Sequence, residues 1–252
     1  MVDAKGALPE PPHRVRDTKA GVSDLPVRLA SALVMVAIAG GALWFGGLVW
    51  IGFVLLVAGL VLWEWNRLIR GSDSSPLGEI LWLFFGAAYV SGAALAMVQV
   101  RENYSAVGVA FVYILPIIAV DVGAYFVGRA VGGPKIAPRL SPSKTWAGLI
   151  GGAIGASVVI VGVVVSGLMP EQLGAISLPA IAIAICAGIV IAVLAQAGDF
   201  FESWMKRRAQ VKDSSALIPG HGGVFDRVDG FLAVFFVVFC VNVLPGLVGS
   251  LI

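Results

Sequence analysis

The sequence predicts an all-α, polytopic integral membrane protein of about seven transmembrane helices, with its charged loops gathered on one side of the bilayer. Three observations predict it. Of 252 residues, 59% are hydrophobic and 13% charged, and the mean hydropathy of +0.95 lies outside the range of soluble globular chains. Apolar stretches recur at 29–45, 47–63, 80–100, 105–128, 146–169, 175–197 and 230–252, each close to the roughly 20 residues that cross a hydrocarbon core about 30 Å thick. Finally, 16 of the 17 lysines and arginines fall on one side when seven spans are threaded, and Arg101 alone falls opposite. The positive-inside rule makes that basic side, and the N-terminus with it, cytoplasmic. In a bacterial cell the expected location is the inner (plasma) membrane.

In chain order, residues 1–27 are polar and proline-bearing, do not resemble a secretory signal, and read as a disordered cytoplasmic tail. Residues 28–252 form the transmembrane domain. Its first two apolar stretches are one run of about 35 residues, which as a single helix rising about 1.5 Å per residue would overshoot the bilayer. The expected break is Gly46-Gly47. Trp63 and Trp65 bracket a membrane interface, where Glu64 reads as a helix-end acid before the Gly-Ser-Asp-Ser-Ser-Pro turn. Residues 101–105 and 170–174 are short turns. Cys186 and Cys240 lie inside expected spans and read as packing residues rather than a disulfide or metal pair. The formal net charge of only +2 carries less information than its local excess, which suits anionic lipid headgroups and gives no reason to invoke nucleic acid.

Two loops, 129–145 and 198–229, are long enough to fold. The second holds ten charged residues in a chain that otherwise avoids charge. If the preceding helix continues past Ala197, Asp199, Glu202, Ser203 and Lys206 fall near one face, at spacings of three and four. Pro219-Gly220-His221-Gly222-Gly223 is a non-helical backbone able to approach a ligand closely. Asp226-Arg227-Val228-Asp229 then opens the last span with two carboxylates three residues apart. Carboxylates opposite a basic cluster suit Mg²⁺, which takes one or two protein carboxylates together with phosphate oxygens and water. Arg and Lys neutralise the remaining phosphate charge.

The first loop follows Asp121, an ionisable residue about two turns inside a span and therefore a functional candidate. Downstream come Tyr125, Arg129, Lys135, Arg139 and Ser141-Pro142-Ser143-Lys144-Thr145. Their hydroxyls, ammonium and adjoining helix start favour an anion, although the spacing is not that of a Walker P-loop. The basic residues of this loop also serve as positive-inside markers.

The residues Ser203-x-Met205-Lys206-Arg207-x4-Lys212-Asp213-x-Ser215-x2-Ile218-Pro219-x-His221-Gly222-Gly223-Val224-Phe225-Asp226-Arg227-Val228-Asp229 resemble the signature of the phosphatidate cytidylyltransferase (CDP-diacylglycerol synthase) family. Phe225 stands where an aliphatic residue is usual. The stretch 121–148 is similar to an upstream block of that family, with Ala147 in place of a common acid. The resemblance implies transfer of a cytidylyl group from CTP to phosphatidic acid, giving CDP-diacylglycerol and pyrophosphate in phospholipid biosynthesis. It implies Mg²⁺, with a second monovalent or divalent cation as an option, held by Asp199 and Asp226. It assigns catalytic work to Ser203, Lys206, Arg207, Lys212, Asp213, His221 and Asp229, and substrate binding to Asp121, Tyr125, Ser141, Lys144, Thr145 and Arg227. His221 either protonates pyrophosphate or holds the glycine turn. A homodimer is implied as well. Two alternatives are a CTP-dependent polyprenol or phytol kinase and, in a different class, a membrane transporter. The extended glycine and aspartate signature argues against the kinase, and charges at one membrane face rather than at midplane argue against the transporter.

Overall fold

The structure, a computed structural model, describes residues 24–72, 74–168, 176–243 and 245. It is an all-α membrane bundle with six helices long and apolar enough to cross a bilayer. Helix α1 spans Asp24–Phe45 and α2 Gly47–Arg70; the break between them falls at Gly46 and Gly47, whose φ angles of 64° and 50° are left-handed and suit glycine. Ser75 caps α3 (Pro76–Asn103) by accepting from the Gly78 N–H. The fourth span is continuous but not uniform. Helix α4 (Ala106–Val109) passes through a π-turn at Ala110–Ile114 into α5 (Leu115–Val131). Pro116 follows the π-turn, and a proline's missing N–H and its ring displace the helical ladder in this way.

A two-stranded antiparallel hairpin, β1 (Lys135–Ala137) and β2 (Ser141–Thr145), occupies the loop before α6 (Trp146–Ser166). Helix α7 runs from Leu178 to Arg208, its 31 residues exceeding the length a bilayer core needs. Helix α8 (Phe225–Val238) and a π-turn to Val243 fill the described part of the expected seventh span. The expected tail coincides with undescribed residues as far as 23, and residues 24–27 already belong to α1. The expected turn at 170–174 also lies outside the described residues.

Where lipid removes the hydrophobic drive between helices, small residues permit close backbone contact. At the α5–α6 crossing a Cβ on Gly123 would collide with the backbone of Gly151. The core beneath the charged end is aromatic: Trp65 is fully buried, with the rings of Phe201 and Phe225 each at 5.6 Å. Its indole N–H donates to the Trp82 carbonyl at 3.1 Å. This corrects the pairing of Trp63 and Trp65 at an interface, because helical side chains two residues apart point about 200° apart, and of the two only Trp63 is exposed. Cys186 and Cys240 are free, as expected, but they lie on the outer surface of the bundle rather than packed within it. At the opposite end, Arg101 donates to the carbonyls of Leu43 (2.8 Å), Trp44 (3.3 Å) and Tyr104 (3.2 Å), closing the α1–α2 turn.

Candidate active site

The α7–α8 packing sets the site's geometry. Gly198 faces the backbone of α8 so closely that a Cβ there would collide with the Asp229 carbonyl, and Gly230 in turn rests on Ala195. Two backbones in contact bring the residue after Gly198, which is Asp199, beside Asp229. Glu202, one turn further along α7, joins them, and the three carboxylates offer oxygens that all lie within 4.8 Å of one another. Glu202 is 1% exposed, and its Oε1 is buried with no hydrogen-bond partner. Three carboxylates this close repel unless positive charge lies among them. Hard oxygen donors with a buried unpartnered oxygen fit a hard divalent cation such as Mg²⁺.

Two lysines flank the acids. Lys144, at the end of β2, pairs with Asp199 and lies 4.8 Å from the centre of the Phe200 ring. Lys206, one turn beyond Glu202, contacts Glu202 at 2.5 Å and Asp226 at 2.6 Å. Asp226 lies before the apolar part of the last helix, and the turn of the signature loop surrounds it. Its Oδ2 accepts from the Ser214 N–H (2.9 Å), the Ser214 hydroxyl (2.8 Å) and the Gly223 N–H (2.8 Å). Burial alone raises this carboxyl, but the Lys206 ammonium and the hydrogen bonds from Gly223 and Ser214 outweigh burial and hold it well below the usual carboxylate range. The turn needs glycine: Gly220 and Gly222 have φ of 74° and 90°, and a side chain on Gly223 would collide with Ser214 and Glu64.

The remaining candidates divide by position. Asp121 is exposed on α5. Arg207, Lys212, Asp213 and Arg227 are exposed at the charged end, where Arg227 donates to the His221 carbonyl at 2.7 Å. Ser203 is half-buried on α7 and Ser141 half-buried on β2. His221 meets Ser31 of α1, its Nδ1 2.9 Å from the hydroxyl oxygen. Tyr125 is 58% exposed, its hydroxyl accepting from Arg129 at 3.0 Å. Thr145 is buried as the N-cap of α6, accepting from the Gly148 N–H at 3.0 Å. The structure thus groups Asp199 with Glu202 and Asp229, while Asp226 sits one step away behind Lys206.

Sequence reasoning gave no site role to Glu202, Glu64, Ser214 or Ser31. The i−3 and i+4 relations of Glu202 to Asp199 and Lys206 were a usable signal for it. Glu64, expected as a helix-end acid, lies in the last two turns of α2 and is fully buried. It accepts from Ser214, Ser215 and the N–H groups of Val224 and Phe225.

Known proteins carry the same stretch. Residues 71–244 match the Cytidylyltransferase family. The chain is 40% identical over 192 residues to a phosphatidate cytidylyltransferase of Brucella suis biovar 1 (strain 1330), an alignment covering 75% of this chain and 63% of the relative. It is 32% identical over 239 residues to one from Rickettsia typhi (strain ATCC VR-144 / Wilmington), covering 93% of this chain and 97% of that one. A Bacillus subtilis (strain 168) phosphatidate cytidylyltransferase is 30% identical over 183 residues, covering 72% and 64%. The chain therefore spans somewhat less than two thirds of the Brucella relative's length and nearly all of the Rickettsia relative's. The family match takes in the β1–β2 hairpin, α7, the glycine turn and α8 together, and by it this chain belongs to the cytidylyltransferase family.

Proposed function

We propose that the protein transfers a cytidylyl group from CTP to phosphatidic acid. A phosphate oxygen of phosphatidic acid forms a bond to the α-phosphorus of CTP, the bond from that phosphorus to the bridging α–β oxygen breaks, and pyrophosphate leaves. The observation that carries this reading is the group of Asp199, Glu202 and Asp229 flanked by Lys144 and Lys206 at one end of a membrane bundle. The names of the relatives support the choice of nucleotide and lipid.

Both substrates are polyanions, so positioning and charge neutralisation are the main tasks. Asp199, Glu202 and Asp229 would hold Mg²⁺, which when bound neutralises phosphate charge and orients the reacting groups. Lys144 and Lys206 are poised to exchange their carboxylate partners for phosphate oxygens. Asp226 keeps Lys206 aimed at that space. Arg207, Lys212 and Arg227 extend the positive surface around it. A general base is not needed, because phosphatidate is already ionised near neutral pH. The charged end faces the cytoplasm in this reading, where CTP is found.

The test is direct: detergent-solubilised, folded protein is incubated with labelled CTP, Mg²⁺ and phosphatidic acid. A labelled liponucleotide and an equal amount of pyrophosphate are expected. Labelled lipid absent from a folded sample overturns the reading, and CDP in place of pyrophosphate would identify a kinase.

A further inference from the structure

Glu64 lies six residues before the end of α2, ahead of the stretch that matches the family, and is 0% exposed. Its Oε1 accepts from the Ser215 hydroxyl (2.5 Å) and the Val224 N–H (2.9 Å). Its Oε2 accepts from the Ser214 hydroxyl (3.0 Å) and the Phe225 N–H (2.6 Å). Among the described residues no lysine or arginine pairs with it. A carboxylate buried without a cation is costly unless its lone pairs are filled, and here three donors and a fourth shared with Asp226 converge on it, all from one segment about 150 residues away in sequence.

Helix α8 has no side-chain cap of its own at Val224. Glu64 supplies that cap in trans, placing negative charge at the positive end of the helix dipole. The same carboxylate reaches the acids of the site through one shared group. The Ser214 hydroxyl has a single hydrogen and two carboxylate acceptors, Glu64 and Asp226. Asp226 in turn holds Lys206, which holds Glu202.

We infer that Glu64 is a positioning residue, which fixes the 214–225 turn and through Ser214 and Asp226 sets where Lys206 presents its ammonium. The inference rests on the cytidylyl-transfer reading for its kinetic consequence, though not for its geometry. Replacing one oxygen by an amide leaves two donors facing an N–H₂ group, and the turn shifts to relieve them. Displacements of about 1 Å at a reacting centre cost roughly 100-fold in rate.

The test compares wild type, Glu64→Gln and Ser215→Ala in the full chain. For Glu64→Gln, kcat is expected to fall about 30- to 100-fold with KM for CTP within about threefold, as for an interaction realised in the transition state. The Val224 and Phe225 amides are expected to exchange with deuterium at least about tenfold faster, while exchange along α7 is unchanged. Ser215→Ala removes one donor and should lower kcat about three- to tenfold, with a modest fall in melting midpoint from the lone pair left unfilled. Wild-type kcat in folded Glu64→Gln, or unaltered exchange at Val224 and Phe225, overturns the inference. If Glu64→Gln does not fold, Ser215→Ala decides, and a wild-type kcat there overturns it. If wild type forms no liponucleotide, the proposed function falls instead, and the exchange rates still judge the Glu64 cap.

Discussion

The hydroxyl oxygen of Ser31 lies 2.9 Å from Nδ1 of His221, tying the first helix of the bundle to the glycine turn of the site. That hydroxyl has one hydrogen and three carbonyl acceptors within reach, those of Val27 (3.0 Å), Arg28 (3.0 Å) and Pro219 (3.1 Å). A hydroxyl that donates to one of these carbonyls can only accept from the ring, an arrangement that places the proton on Nδ1 and leaves the Nε2 lone pair free. Ser31, far away in sequence, is thus the partner on which the ring's tautomer depends.

The first prediction concerns this tautomer. The chain has two histidines, so a His13→Gln background isolates His221. Its ¹⁵N shifts should report Nδ1–H in wild type and a larger Nε2–H fraction in Ser31→Ala, with turnover about three- to tenfold lower, the size of one hydrogen bond. Identical shifts in the two proteins would rule out the assignment.

A second prediction separates Asp226 from the three clustered acids. Asp229→Asn should raise the Mg²⁺ concentration for half-maximal turnover at least about tenfold, the scale on which carboxylates around a metal act. Asp226→Asn should instead lower kcat by about two orders of magnitude at saturating Mg²⁺, by releasing Lys206. The reverse pattern, read from Mg²⁺ titrations of initial rate, would return Asp226 to the ligand set.

The third concerns acid stability. Asp226 is held below its ordinary value in the folded protein, so it contributes stability that is fully present above the unfolded value of about 3.9. That contribution is lost as pH falls toward its lower folded value. The melting midpoint of Asp226→Asn should therefore lie below wild type from pH 7 to about pH 4, and the gap should close on further acidification. A gap that widens with acid would contradict the hydrogen-bond pattern around Asp226.

The fourth tests the helix contact that makes the site. Gly198→Ala drives a methyl into the Asp229 carbonyl and should cost about 1–3 kcal/mol, with loss of turnover. Gly40→Ala, whose new methyl meets open space, should be neutral or stabilising by up to about 1 kcal/mol. Midpoints in one detergent, scanned together, decide whether the two glycines differ as stated.

Hydropathy revealed most of the spans, because crossing a bilayer depends on a local property of the chain. The Gly46-Gly47 break was legible for a related reason, since an apolar run too long for one span must turn where glycine allows it. Partners were a different matter. Nothing local to Trp63-Glu64-Trp65 says which two of the three face inward, and Glu64 meets its donors only because α2 packs beside the start of α8. Spacing along α7 likewise placed Asp199, Glu202 and Lys206 on one face, but could not say whether Asp226 or Asp229 would approach that face. The contact at Gly198 decides it, and a backbone approach leaves no trace in the pattern of side chains. The hairpin at 135–145 was readable only as a loop, its strands being three and five residues long.

The arginine at the far end of the bundle has a consequence for the order in which the protein is made. Arg101 follows Leu43, whose carbonyl it holds, by 58 residues. When α1 and α2 leave the ribosome, the turn between them therefore still lacks the guanidinium that closes it. That turn is completed only when the end of α3 reaches the same side of the bilayer. A chain arrested before α3 would present an α1–α2 pair whose shared turn still lacks these hydrogen bonds.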